Sequence, residues 1–342
     1  MSDSLDNISG ASQPAPHLEQ AARRDSSISN RLLLRYVSYF FLLAAVSTFS
    51  GYQFARIHSG GTRSAHGAPS SAQNQTPALV PASSPRASNT DLEAISQLAP
   101  QQQAERLLQL AIERPDDSLG LIQKNLDAWR GHLEDTDQLF HIVLAALDCN
   151  DPRVRVAAVE IDLVANNLRK SPQSLTKLRH QIETDPSGRY LALWRLGALG
   201  NRGVQPATVL STLIHYTRDA NQLTRFWAVE GIAMLGTEES IDPLLSILAH
   251  DPAKQIRERA AAGLAQSGML TGEQRLAAVP QLLNLLDDDS LDAGTQDLVY
   301  ASLQTITGAS FGRDPDAWRE WWAHHDAPEK KHSHVPAGLS QI

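Results

Sequence analysis

Residues 225–236 read Arg-Phe-Trp-Ala-Val-Glu-Gly-Ile-Ala-Met-Leu-Gly. Apolar side chains fall at helical spacing behind an arginine, and a glycine follows eleven residues after it. Such a run predicts a buried helix that ends in a left-handed residue. The same text recurs without gaps at Arg155-Val-Ala-Ala-Val-Glu, Arg189-Tyr-Leu-Ala-Leu-Trp and Arg257-Glu-Arg-Ala-Ala-Ala. Gly200 and Gly268 close two of these copies, and Asn166, which also tolerates a left-handed helix end, closes the third. The arginines are separated by 34, 36 and 32 residues. A degenerate fifth copy runs from Asp297-Leu-Val-Tyr-Ala-Ser-Leu to Gly308, without the arginine. Asp151-Pro152, Asp185-Pro186 and Asp251-Pro252 open three copies, each an N-cap followed by proline at the first helical position.

Between the copies lie partner helices, Pro206–Arg218, Glu239–Ala249 and Gly272–Leu286, each with its own apolar stripe. One repeat is therefore a helical hairpin of roughly 35 residues. A single hairpin cannot bury its apolar face, and stacked neighbours share one continuous core. Residues 91–135 are helical in texture without matching the repeat, and read as capping helices at the N-terminal end. The chain has no convincing run of alternating β-branched residues, so the domain reads as all-α.

The pattern Asp-Pro…Arg-x-x-Ala-Ala…Gly resembles the second helix of HEAT repeats, in particular the short bacterial, PBS-lyase HEAT-like type. The resemblance covers residues 136–308. It implies an α-solenoid of HEAT-like hairpins whose concave surface binds a protein partner. Arg155, Arg189, Arg225 and Arg257 then form a structural ladder along the second helices, bridging neighbouring repeats through aspartates and backbone carbonyls. Residues 309–326 read as a terminal cap. There Asp314-Pro315 starts a short helix, and Trp318, Trp321 and Trp322, at i, i+3 and i+4, cover the last repeat.

Upstream of the repeats the texture differs. Residues 1–31 are polar and read as a disordered tail. Tyr36–Ala55 is 20 residues without a formal charge, enough helix to cross a hydrocarbon core of about 30 Å. With Leu32–Leu34 and Arg35 in front, residues 32–55 read as a single transmembrane helix that contacts the bilayer. A cleaved signal peptide and a buried helix of the folded domain are the alternatives. Arg23, Arg24, Arg31 and Arg35 precede the span, whereas Arg56 and Arg63 follow it. This excess places the N-terminus in the cytoplasm and the main domain outside the inner membrane, in the periplasm of a Gram-negative cell. Residues 56–90, rich in Ser, Ala and Pro, read as a linker with a reach of roughly 30–35 Å.

Charge and cysteine usage exclude whole classes. Residues 1–90 carry 7 basic and 4 acidic side chains, while residues 91–342 carry 23 and 34. An acidic domain lacks the surplus of Lys and Arg that phosphate backbones demand, so nucleic acid is not the expected partner. One cysteine, Cys149, rules out an intrachain disulfide and every zinc site with two or more thiolates.

No residue is assigned to catalysis, to a cofactor or to a metal. Gly308-Ala-Ser310-Phe-Gly312 matches the hydrolase nucleophile elbow as text, but a helix precedes it where the elbow requires a strand. Asp287, Asp288, Asp289 and Asp292 lack the glycine and terminal glutamate of a calcium loop. His324, His325, His332 and His334 leave a metal-handling tail, residues 327–342, as an alternative reading. HEAT-like repeats also occur in bilin lyases, which leaves an enzyme-linked module by resemblance alone. The remaining histidines form none of the His-Glu dyads of the HEAT-repeat di-iron hydroxylases. The sequence reading is a membrane-tethered scaffold for protein–protein interaction.

Overall fold

The computed structural model describes residues 89–325. The segments read as N-terminal tail, membrane span and C-terminal tail (1–31, 32–55 and 327–342, with His332 and His334) lie outside them, as does the linker except its last two residues. Among the described residues no helix is long and apolar enough to cross a membrane, and there is no strand.

Among the described residues fifteen α-helices follow one another: α1 (Asn89–Ser96), α2 (Pro100–Glu113), α3 (Pro115–Trp129), α4 (Asp137–Leu147), α5 (Pro152–Ala165), α6 (Pro172–Thr184), α7 (Arg189–Asn201), α8 (Pro206–Tyr216), α9 (Gln222–Leu235), α10 (Ile241–His250), α11 (Lys254–Ala265), α12 (Gly272–Ala277), α13 (Val279–Leu285), α14 (Ala293–Thr307) and α15 (Pro315–His324). Successive helices pair as hairpins, and α7, α9, α11 and α14 then stack side by side. The arginine copies thus occupy second helices α5, α7, α9 and α11. Helices α1 to α5 share an apolar core of their own, from Ile95 through Leu108, Ile122 and Trp129 to Val164.

Local sequence explains most boundaries. Proline occupies the first turn of α2, α3, α5, α6, α8, α13 and α15, where its missing N–H costs nothing. Asp151 caps α5 by accepting from Arg153 N at 2.8 Å. At the other two Asp-Pro pairs the helix starts later than the signal suggests. Asp185 Oδ1 accepts from Ser187 N, Ser187 Oγ and Gly188 N, which folds the pair into a turn, and α7 begins only at Arg189. Asp251 likewise caps a turn through Ala253 N at 2.8 Å, before α11 begins at Lys254.

The left-handed ends fall at Gly236, Gly268 and Gly308 but are displaced in the other two copies, to Asn167 and Gly203. Gly200 lies inside α7, and its smallness serves packing: a Cβ there would stand 2.7 Å from Leu235 Cδ1. The expected helix 272–286 is broken into α12 and α13, because Pro280 has no N–H for the continuing ladder and its ring would meet the preceding turn. At the linker boundary, α1 begins at Asn89, two residues before position 91.

The arginine row and the shielded inner face

The four arginines share a position in the repeat but not a set of partners. Arg225 grips Asp251 with both oxygens, Nε to Oδ2 at 2.9 Å and Nη2 to Oδ1 at 3.2 Å, and donates Nη1 to Asp219 O at 3.1 Å. Arg257 donates Nη2 to Asp292 Oδ2 at 3.0 Å and Nη1 to Asp251 O at 3.0 Å. Each thus ties its own helix start to the aspartate that opens the next second helix. Arg189 donates Nε to Ile182 O at 2.8 Å, inside its own hairpin. Arg155 departs from the row altogether. Its Nη1 donates to Gly268 O at 2.7 Å, 113 residues downstream. In an open solenoid a repeat touches only its neighbours; here the first arginine copy reaches the loop behind the fourth.

A second set of charges lies deeper. Five residues after the arginine, α5 and α9 both carry glutamate, Glu160 and Glu230. Glu230 is 3 % exposed and pairs with Arg259, whose Nη2 lies 3.1 Å from Oε2. Burial pushes the Glu230 carboxyl up, against the pull of Arg259. Glu160 receives Arg202 Nε at 2.8 Å and Lys170 Nζ at 2.9 Å. Between α5 and α7, Arg195 bridges Asp162 at 3.2 Å and Asp135 at 2.6 Å. Burial raises the Asp162 carboxyl; Arg195 opposes this and Asp135 adds to it. Arg275 takes the end of α11, donating to Leu264 O at 2.7 Å and Ser267 O at 2.8 Å. It is pushed down to about 10, chiefly by burial and then by the like charge of Arg155.

Helices α7 and α9 pack most closely of all. A Cβ on Gly197 would overlap the Gly231 carbonyl, and one on Gly231 would stand 2.6 Å from Leu193 O. Every residue from 192 to 200 and from 227 to 235 is buried, including Trp194, Trp227 and Met234. The second helices α7 and α9 therefore offer no open groove along these stretches. Beside α7 and α9 the accessible surface belongs to the first helices α6 and α8. There α6 and α8 flank a groove of about 330 Å³ lined by Arg179, Glu183, Ser211, Thr212, His215 and Tyr216.

At the C-terminal end the three tryptophans separate. Trp318 is 1 % exposed and donates Nε1 to Gly312 O at 3.1 Å, with Phe311 edge-on at 5.1 Å. Trp321 and Trp322 are half-buried, and the His325 ring stacks on Trp321 at 4.5 Å. Helix α15 rests on α13, and Arg319 reaches Asp287. Ser310, the text-level nucleophile, is exposed in the turn after α14. The acidic run is engaged elsewhere: Asp292 caps α14, and Asp288 Oδ1 accepts from Ser290. Cys149 is half-buried against the N-terminal core. Among the described residues no group of three or more His, Cys, Asp or Glu could hold a metal ion.

Sequence reasoning missed Arg195, Arg202, Arg259 and Arg275. The glutamates at equivalent positions 160 and 230 were the available signal, since a carboxylate buried mid-helix calls for a basic partner. Their partners come from different places in the repeat, which no periodicity marks.

Residues 172–265, from α6 through α11, match the family model for HEAT repeats. No curated protein matches the chain. Over that segment the chain is similar to HEAT repeats, and helical pairs precede and follow it.

Proposed function

We propose that this protein is a membrane-tethered scaffold that engages a protein partner through its helical-repeat domain and carries out no catalysis itself. One observation carries the reading. The repeats spend their buried charges on one another, as in Arg225–Asp251 and Arg259–Glu230, so these groups stiffen a framework and are not gathered around a reacting centre. HEAT repeats generally serve as protein-interaction scaffolds, which supports the same view. Along α7 and α9 the engaged surface is the first-helix side, because the inner columns of these two helices are shielded. The acidic balance of residues 91–342 favours protein over nucleic acid.

The anchor is residues 32–55, with the N-terminus inside and the repeats on the outer side of the inner membrane. Tethering raises the effective concentration of any partner held in the same membrane. Crosslinking the full chain in its native membrane, followed by identification of the captured protein, tests the scaffold. Recovery of a stoichiometric protein supports it, and reproducible absence of any adduct refutes it. Alkaline extraction of vesicles tests the anchor, which predicts retention in the pellet. A reporter fused after residue 90 tests the orientation.

A further inference from the structure

The three arginines that tie loops together use the guanidinium in a consistent way. Arg225 and Arg257 each give Nη1 to a backbone carbonyl and the opposite side of the group to an aspartate. Arg155 repeats the first half of this arrangement, giving Nη1 to Gly268 O. The second half is missing. Among the described residues Arg155 has no ion pair; its Nε is buried with no acceptor, as is that of Arg257, so it is the absent carboxylate that sets Arg155 apart. The residue that would supply the carboxylate by repeat position is Asp185, the counterpart of Asp251. Asp185 is folded into its own turn by Ser187 and Gly188.

The other groups around Arg155 do not substitute. Asp151 is its nearest acidic neighbour, but both oxygens of that carboxylate are held by Arg153, at 3.1 Å and 3.2 Å from Nε and 2.7 Å from Nη2. Cys149 lies close by as well. Arg275, itself 8 % exposed, adds a second positive charge. Two guanidiniums thus converge on the loop after α11 and satisfy only carbonyls there. A buried donor without an acceptor is costly, and a planar Nε/Nη2 fork matches a carboxylate in two parallel bonds.

We propose that the Nε/Nη2 side of Arg155 is a recognition site for a carboxylate presented by an acidic side chain of a protein partner. It is the position that Asp251 fills on Arg225, left open at the first copy. Arg155 is half-buried and its Nε is fully covered, so the incoming group meets Nη2 and gains Nε only when the side chain turns outward. Only the word partner rests on the scaffold reading; the carboxylate site stands on geometry within this chain.

The test follows the side-chain Nε–H signals of the full chain, labelled with 15N-arginine and held in detergent micelles. Arg155→Lys and Arg225→Lys assign the two signals. The probes are a capped tripeptide with a central glutamate, acetate, inorganic phosphate and, at matched ionic strength, sodium chloride. The expected result is a saturable downfield shift of the Arg155 signal with the peptide and more weakly with acetate, while Arg225, already bonded to Asp251, stays in place. A shift no larger than with chloride, or an equal one at Arg225, overturns the proposal. So does a response to phosphate alone, which would mark a general anion site, or to acetate alone, which would exclude a protein source. Asp185→Asn closes the remaining route: if it moves the Arg155 signal in the protein without probe, Asp185 already fills the site in solution and the inference fails. Failure to capture a partner in membranes would sink the scaffold and leave these shifts unaffected.

Discussion

The junction between α7 and α9 and the junction between α5 and α7 join equivalent elements by opposite means. The first is made of close backbone approach, with Gly197 and Gly231 facing each other. The second is made of charge, with Arg195 between Asp162 and Asp135 and Arg202 on Glu160. Close packing gains dispersion at every atom and tolerates no added volume. A buried ion cluster gains little net stability but is severely damaged when one member is lost. The same repeat can therefore be fused rigidly on one side and held by polar contacts on the other.

The largest effect should come from breaking the polar junction. Arg195→Ala strands Asp162, which is 4 % exposed, and should cost about 3–5 kcal/mol in urea denaturation. Replacing Arg195 together with both aspartates by apolar residues should restore most of that loss. If the single variant is neutral, the cluster is not what holds α5 against α7. Next comes the close-packed side: Gly197→Val should destabilise by roughly 3 kcal/mol, since the Cβ alone would already overlap the Gly231 backbone.

Within the arginine row the comparison sharpens. Arg225→Ala leaves Asp251 buried and unpaired and should cost about 2–3 kcal/mol, whereas Arg155→Ala removes one bond to a carbonyl and relieves an unsatisfied Nε, for about 1 kcal/mol or less. Equal losses would erase the distinction drawn between the two positions.

A gentler effect is expected from pH. Burial raises Glu230 above its ordinary 4.5, so the folded state holds this proton more tightly than the unfolded chain does. Its contribution is most favourable near and below 4.5 and declines as the pH climbs through the raised folded value. Stability curves for wild type and Glu230→Gln, measured upward from pH 4.5, should therefore diverge in favour of the variant as pH increases. Parallel curves would contradict the raised value. The smallest effect belongs to the exposed pair Lys254–Glu258, 65 % and 45 % accessible, where Lys254→Ala should change thermal stability by no more than about 0.5 kcal/mol.

Much of this architecture was legible beforehand. Helix type, the hairpin period and the second helices around Arg155, Arg189, Arg225 and Arg257 follow from periodicity and caps, because those signals act within a few residues of the chain. Proline and glycine misled where they served two purposes. Pro280 split a helix that the apolar stripe alone would have continued, and Gly200 turned out to provide room for Leu235 instead of a helix end.

What sequence alone determined is the set of elements and the apolar face each must bury, since helix propensity, capping and hydrophobic spacing are local. Tertiary structure alone decided which charges meet, that Arg155 reaches Gly268, and that Trp194 and Trp227 are shielded while Trp321 stays half-open. Long arginine side chains choose among acceptors that stacking brings within a few ångströms, and a small rotation between hairpins changes which acceptor is nearest. That rotation is summed over several interfaces, so no single stretch of the chain encodes it.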